Sequence, residues 1–122
     1  MALINSVIIA GNVTKDPELR FTPKGSKYVR LRIAVNRKFR TKEQEIKEET
    51  CFVTISAWEQ QAEFCAKYVR KGSPILIEGR LQQRDWKDEQ TGENKSMIEV
   101  KAHHVQLLKW ESEEKPVESD GL

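Results

Sequence analysis

Residues 50–72 read TCFVTISAWEQQAEFCAKYVRKG, and the change of period inside this segment is the strongest fold signal in the chain. Up to Trp58, apolar and polar side chains alternate with a period of two, which predicts a β-strand. From Glu59 to Lys71 the apolar residues recur at helical spacing, and Gly72 stops the pattern, which predicts an α-helix. The rest of the chain is patterned mostly as strands, so one helix is expected inside an otherwise all-β fold.

The predicted strand at residues 50–58 has two different faces. The residues of one face are small or aliphatic: Cys51, Val53, Ile55 and Ala57. The other face carries Phe52, Thr54, Ser56 and Trp58. A half-buried strand usually turns its rings toward the core, so two rings on the polar face indicate either a second packing partner or a ligand.

Two strands are predicted before this segment. The first runs from about Leu3 to Val13, and its near-continuous apolar character predicts burial on both faces, as in a closed barrel with a second subunit packed against it. The second follows a turn at residues 22–25 and alternates, with aliphatic residues from Val29 to Val35 on one face and basic residues on the other. Residues 37–49 are polar and lack a strand period, so they are predicted to form a long loop.

Two more strands are predicted after the helix. The fourth places Ile75, Ile77 and Leu81 on one side, with a bend or bulge at Gly79. Its other side carries Glu78, Arg80, Gln82, Arg84 and Trp86.

Residues 88–94 contain Thr91-Gly92 and are predicted to form a hairpin loop before the fifth strand. That strand spans about residues 96–108, and its apolar alternation shifts near His103-His104, which predicts a local irregularity there.

The predicted order of three strands, one helix and two strands is that of the OB-fold, a five-stranded Greek-key barrel with its helix between strands three and four. An SH3-like barrel is the main structural rival, but it does not place a helix at this point. A chain of 122 residues leaves no room for a second core of useful size. Residues 1–110 are therefore predicted to form one domain, and residues 111–122 a short acidic flexible tail.

Composition narrows the class of protein. With 38% hydrophobic and 33% charged residues, the chain is predicted to be a soluble globule. No apolar run is long enough to span a bilayer and residues 1–13 lack the features of a secretion signal, so a cytoplasmic location is expected. Cys51 and Cys65 show no metal or redox spacing and are both predicted to be small core residues.

Charge is distributed unevenly along the chain. The tail has five acidic residues against one basic residue, so the other residues carry 20 basic and 14 acidic side chains and a net charge of +6. A basic domain favours a polyanionic partner. On charge alone, a solvated surface with a frayed terminus explains the pattern equally well.

Aromatic and basic residues coincide on the predicted outer surface. Every nucleobase has an apolar π-face, so exposed rings bind single strands with little sequence preference, while nearby Lys and Arg neutralise phosphates. The ligand surface of an OB-fold lies across strands two and three, the loop joining strands one and two, and the loop joining strands four and five. The predicted stacking residues are Phe39, Phe52, Trp58 and Trp86. Basic residues that accompany them are Arg32, Arg37, Lys38 and Arg40.

Residues 4–108 resemble the bacterial single-stranded DNA-binding protein family in the order and spacing of several segments. These are NSVIIAGNV at residues 5–13, DPELRF at 16–21, AEF at 62–64 with YVRKGS at 68–73, and IEGRL at 77–81 with Trp86. The resemblance implies a nucleoid-associated homotetramer that wraps single-stranded DNA during replication, recombination and repair. It implies base stacking at the four rings named above, and that Lys71, Arg80 and Arg84 lie along the DNA path.

Two features depart from the family pattern. Many members have a histidine directly after the ring of strand three, at a subunit contact, whereas this chain has Val53. The family usually ends in a long linker and an acidic tip closed by an aromatic residue, which recruits replication and repair proteins. Here the tail is short and ends at Leu122, so recruitment through it rests on its acidic character alone.

Three of the four rings also have a structural interpretation, whereas Phe39, in a basic segment, is hard to place in a core. Phe52 and Trp58 could be buried between subunits, Trp86 could cap the barrel, and Trp110 is expected to pack against it. His103-His104 lack partners at ligand spacing, so neither a metal site nor a cofactor is predicted.

The sequence shows no phosphate-binding glycine loop, no Ser/His/Asp set and no paired carboxylates, so no catalytic residue is predicted and the protein is expected not to be an enzyme. Two other functions remain open. One is an OB-fold replication accessory of the primosome type that binds nucleic acid weakly, and the other is an RNA-binding OB module.

Overall fold

A computed structural model describes residues 3–109. Trp110, the acidic tail and the predicted boundary between domain and tail lie outside these residues. The described part forms six strands and one helix: β1 (Val7–Val13), β2 (Arg20–Phe21), β3 (Lys27–Arg40), β4 (Ile46–Trp58), α1 (Gln60–Tyr68), β5 (Pro74–Lys87) and β6 (Asn94–Leu107).

The five long strands close into a barrel in the order β1-β5-β6-β4-β3. All neighbours are antiparallel except β4 and β6, which pair in parallel at Ile55↔Val100 and Ser56↔Lys101. The circuit closes where β1 returns to β3 through Asn12↔Ala34 and Val13↔Ile33. With α1 between β4 and β5, this arrangement confirms the predicted OB-fold, to which the two-residue β2 is a short addition.

The inward residues of each strand and one stripe of α1 form the core. Val29, Ile33, Ile55, Ile75 and Ile77 are completely buried, and Ala62 and Cys65 of α1 pack against them. The predicted core position of Cys65 is therefore confirmed. Burial of each such aliphatic side chain stabilises the fold by about 1.5–3 kcal/mol. Within residues 3–109, the helix is too short and too polar to cross a membrane.

One bulge explains both irregularities predicted for the last two strands. Glu78 pairs with His104 but Gly79 pairs with Ala102, so His103 is left without a partner on β5. A Cβ atom on Gly79 would lie 2.2 Å from the carbonyl oxygen of Lys101. Only glycine fits there without a backbone shift, which accounts for its place at the bulge.

The prediction of a loop at residues 37–49 is wrong. Most of this segment is strand, and β3 and β4 stay paired from Arg37↔Glu49 to Arg40↔Ile46, joined by a turn with Gln44 at φ 68°. We call residues 37–49 the hairpin arm. Because the arm extends beyond the barrel, neither of its faces covers a core, and the period-two apolar signal is missing. Cys51, at the base of the arm, is exposed rather than buried as predicted.

Two predictions about β1 and β5 also need correction. β1 begins at Val7 rather than at Leu3, and Ile8 on its outer side is 66% exposed in the single chain. The predicted subunit contact over this side stays a prediction. Leu81 is exposed and not buried with Ile75 and Ile77 as predicted. The first residue of β1 pairs with Gly79, so β1 ends before it reaches Leu81 and cannot cover it.

Candidate nucleic-acid interface

Strand register builds the surface that carries the predicted site. Paired residues on neighbouring strands point to the same side of a sheet, so Tyr28 lies beside Trp58 and Arg32 beside Thr54. Between these two pairs, a row of outward-facing residues crosses four strands. It consists of Arg30, Ser56, Lys101 and Arg80. We call this solvent side of β3, β4, β5 and β6 the outer face.

Each predicted ring lies close to a cationic side chain. The distance from the ring centroid is 4.2 Å for Arg84 at Trp86, 4.5 Å for Arg32 at Phe52, 4.9 Å for Arg37 at Phe39 and 5.6 Å for Lys101 at Trp58. Phe52 is 52% and Trp86 39% exposed, so neither ring is sealed inside the subunit. Cation–π contacts at exposed sites are worth about 0.5–1 kcal/mol each, enough to orient a ring and a guanidinium but too little to bury them.

Trp58 is half-buried and held from two sides. Its ring stacks on Tyr28 with centroids 5.1 Å apart and planes inclined by 27°. Its Nε1–H donates to the hydroxyl oxygen of Ser56 at 3.2 Å. The indole is therefore fixed in one orientation before any ligand arrives.

A buried acid connects two parts of the outer face. Glu99 is 1% exposed, and its Oε1 accepts the Nε–H of Arg30 and the Nε–H of Arg84, each at 3.2 Å. Arg30 lies 5.5 Å from the ring centroid of Tyr28, while Arg84 stacks on Trp86. Glu99 thus fixes the spacing between the Tyr28–Trp58 pair and Trp86.

Three guanidinium side chains converge on one cleft. Arg30, Arg32 and Arg84 line a cleft of about 330 Å³ together with Thr54, Met97 and the start of the β1–β2 connection. We call it the central cleft. The rings Phe52 and Trp86 stack on two of its arginines, so the cleft offers cations to an anion and apolar faces to its neighbours.

The hairpin arm separates Phe39 from the other rings. Phe39 and Arg37 follow the inward alternation of β3, whereas Lys38 and Arg40 share the alternation of Arg32 and Phe52. Arg37 stacks on Phe39 and also pairs with Glu49 across the arm at 2.7 Å. Phe39 therefore lies on the side of the hairpin arm opposite to that of Lys38 and Arg40. It belongs to strand β3 rather than to the predicted loop.

The structure places the two remaining predicted cations at different points. Arg80 is half-buried in the row that contains Lys101, on the outer face. Lys71 follows α1 and lies at the β1–β2 connection, where its backbone N–H donates to Asp16 Oδ1 at 2.7 Å. Lys71 is therefore next to Asp16, which lines the central cleft, and not next to a predicted ring.

Sequence reasoning did not select Tyr28, Arg30, Glu99 or Lys101. Tyr28 and Arg30 share the alternation of Arg32, so this signal was present in the sequence. Lys101 and Glu99 come next to the residues of β3 and β4 only through the parallel β4–β6 pairing, which is not readable from a local pattern. Within residues 3–109, no cluster of three or more His, Cys, Asp or Glu is arranged to hold a metal ion.

A five-stranded OB barrel with ring and guanidinium pairs on one outer face has the architecture of a nucleic-acid-binding OB-fold protein. The model of the single-strand binding protein family matches residues 4–108. The chain therefore belongs to the single-strand binding protein family.

Named relatives and solved structures agree with this assignment. Single-stranded DNA-binding protein 2 of Chlorobaculum tepidum is 45% identical over 109 residues, which is 88% of this chain and 73% of the relative. The single-stranded DNA-binding protein of Wolinella succinogenes is 42% identical over 106 residues, 87% of this chain and 65% of the relative.

Two solved structures share the fold. A deletion mutant of the single-stranded DNA-binding protein from Thermus aquaticus superposes with a TM-score of 0.77 at 30% identity, covering 88% of this chain and 52% of that one. The Plasmodium falciparum SSB in complex with ssDNA superposes with a TM-score of 0.76 at 23% identity, covering 89% and 98% of the two chains.

Proposed function

We propose that this protein binds single-stranded DNA without sequence preference and covers it during replication, recombination and repair. Bases stack on Phe52, Trp58 and Trp86 of the outer face, and Phe39 extends the path onto the hairpin arm. Membership of the single-strand binding protein family supports this function, as do relatives named single-stranded DNA-binding proteins.

The observation that carries the proposal is the exposure of two rings beside arginines. Phe52 and Trp86 are 52% and 39% exposed, with guanidinium groups at 4.5 and 4.2 Å. In this position the rings contribute little to the core, whereas they offer π-faces to unpaired bases. Duplex DNA hides the same faces of its bases, so the surface distinguishes single strands from duplexes.

Phosphates are proposed to follow the cations of the outer face. Arg32 and Arg84 line the central cleft, and Arg80 lies in the adjoining row. The other cations proposed to lie along the path are Arg37, Lys38, Arg40 and Lys71. Each phosphate that they neutralise adds about 0.7 to the slope of log affinity against log salt concentration.

The assembly and location of the protein are further parts of the proposal. A homotetramer is supported by aliphatic side chains left exposed in the single chain, among them Ile8 on β1, Leu81 on β5 and Ile98 on β6. The acidic residues 111–122 are proposed to meet replication and repair proteins. The proposed location is the cytoplasm, in association with the nucleoid.

Titration with oligo-dT tests the function. We expect oligo-dT to quench tryptophan emission, duplex DNA to do so far less, and oligo-U to bind no more tightly than oligo-dT. Replacing Trp58 and Trp86 together with alanine removes two stacked bases. Each is worth about 1–3 kcal/mol, a range based in part on proteins of this family, so the affinity should fall by about 30-fold or more.

Tyr68→Ala is the matched control, because Tyr68 is an exposed ring on α1 and not on the outer face. Its affinity for oligo-dT should equal that of the wild type. An unchanged affinity in the double variant, with a changed subunit number by light scattering, would instead favour the primosome-type accessory module.

A further inference from the structure

A second cleft lies on the outer surface next to the Tyr28–Trp58 pair and shares Lys15, Asp16 and Arg30 with the central cleft. It has a volume of about 630 Å³ and is lined by Lys15, Asp16, Glu18, Arg20, Tyr28 and Arg30. Four of these six residues come from the β1–β2 connection and β2. We call it the β2 cleft.

The β2 cleft opens on the side of Tyr28 that Trp58 leaves free. Arg20 of β2 pairs with Tyr28 of β3, which in turn pairs with Trp58 of β4, so the three residues form one row across the sheet. Trp58 stacks on Tyr28 from the β4 side. Because Tyr28 lines the cleft and Trp58 does not, a flat group in it would meet Tyr28, beside the guanidinium of Arg30 at 5.5 Å from the ring centroid.

The cleft is lined by three cations, Lys15, Arg20 and Arg30, and by two acids, Asp16 and Glu18, so cations are in excess. Asp16 is engaged by the backbone N–H of Lys71, and Glu18 pairs with Arg20 at 2.6 Å. Arg30 pairs with Glu99. The ion pairs formed among residues 3–109 leave Lys15 without a carboxylate partner. An anion entering the cleft would thus find a free ammonium group beside two guanidinium groups.

We propose that the β2 cleft is an additional nucleotide subsite, in which one base stacks on Tyr28 and the adjoining phosphate lies between Lys15 and Arg20. The proposal rests on the proposed single-strand binding and extends the path past Trp58. Tyr28 becomes a fifth stacking ring, continuous with Trp58, and the adjoining phosphate contact is assigned to Lys15 of the β1–β2 connection and Arg20 of β2.

The principal experiment is a double-mutant cycle on oligo-dT affinity with Tyr28→Leu and Trp58→Ala. If Tyr28 stacks a base of its own, Tyr28→Leu lowers the affinity about tenfold in the wild type and again about tenfold in the Trp58→Ala background. If Tyr28 only supports Trp58, the second loss vanishes, and this result overturns the subsite.

Two further variants keep the test independent of folding. Tyr28→Phe retains the ring and should bind oligo-dT within about twofold of the wild type. Tyr28→Leu must also show a cooperative thermal transition.

Lys15→Gln should reduce the salt slope of oligo-dT binding by about 0.7, whereas Lys109→Gln, at the opposite end of the described chain, should not. An unchanged slope for Lys15→Gln would remove the phosphate from the proposal.

The two proposals fail in different ways. If the wild-type protein does not bind oligo-dT, the single-strand binding function itself is wrong. If the wild type binds and Trp58→Ala weakens binding, but Tyr28→Leu adds no loss to Trp58→Ala, only the subsite is wrong.

Discussion

Replacing Glu99 by glutamine tests the link between the core of the protein and its outer face. The substitution keeps the size of the side chain and removes one buried negative charge. In the native protein this charge accepts hydrogen bonds from Arg30 and Arg84, both at 3.2 Å. Without it, the two guanidinium groups lose their shared anchor while their own charges remain.

The geometry sets the size of the effect. Two nitrogen atoms that each lie 3.2 Å from one oxygen cannot be more than twice that distance apart. At an effective dielectric constant of about 20, two charges so close repel by about 3 kcal/mol. Both arginine side chains are about 30% exposed, at 29% and 31%, so they can relieve much of this repulsion by turning to water. We therefore expect Glu99→Gln to lower the free energy of unfolding by about 2–3 kcal/mol, less than the full cost of breaking a buried pair.

Binding should change in a way that net charge alone does not predict. The variant carries one more positive charge, so the salt slope for oligo-dT should steepen by up to about 0.7. If electrostatic attraction between the protein and the phosphates were the only effect, oligo-dT would bind more tightly at every salt concentration. Because Arg84 no longer holds Trp86 in place, we expect weaker binding than the wild type at high salt, where attraction is screened and stacking dominates.

Thermal unfolding and salt-dependent fluorescence titration measure both effects. Glu45→Gln is the matched control, since it removes one exposed acid whose nearest cation, Lys47, is 4.0 Å away. Its stability should change by less than about 0.5 kcal/mol. If Glu99→Gln melted at the wild-type temperature and bound more tightly at all salt concentrations, the anchoring role of Glu99 would be refuted.

Two further predictions concern single residues outside the interface. Glu59 joins β4 to α1 at φ 52° and ψ −118°, a conformation that favours glycine, so Glu59→Gly should raise the free energy of unfolding by about 1 kcal/mol and the melting temperature by a few degrees. A lower melting temperature would show that the long hydrogen bond from the Lys27 N–H to Glu59 matters more than the backbone strain. Burial raises the pKa of the Cys65 thiol to about 11, whereas Cys51 is exposed, so a thiol reagent at pH 8 should modify one cysteine per native chain. Cys51→Ser should abolish that reaction, and modification of Cys65 should require unfolding.

The barrel was predictable because its strands obey one rule. Where a strand covers the core, apolar residues alternate with polar ones along the chain. The apolar positions from Val29 to Ile33, and Ile55 and Ala57, are the ones that are buried. The same rule failed on the hairpin arm, where both faces meet solvent and cross-strand pairs such as Arg37 with Glu49 replace apolar packing. A polar segment of 13 residues thus reads as a loop although its backbone is paired.

The site was only partly predictable for a related reason. Phe52 and Trp58 stood out because rings on a polar face break the usual pattern, and this signal is local. Glu99 gave no such signal, because a single acid on a strand reads as a solvated residue. Its burial depends on arginines that come from β3 and β5 and close over it. Such a residue becomes visible only when the register of three strands is known.

The acid beneath the arginines also explains how a surface can hold several cations close together and still present them to a ligand. Glu99 accepts the Nε–H of Arg30 and of Arg84, and the Nε–H is the donor nearest the backbone in each guanidinium. The Nη2 group of Arg30 also lies 3.5 Å from Glu99 Oε2, whereas the Nη2 group of Arg84 contacts the weak acceptor Met97 Sδ at 3.6 Å, and both arginines line the central cleft. A phosphate can therefore bind the terminal groups of Arg84 without displacing the carboxylate. At Arg84 the anchoring acid and the incoming phosphate use different donors of the same side chain, so the acid orders this cation rather than competing for it, whereas Arg30 is held by both oxygens of the acid.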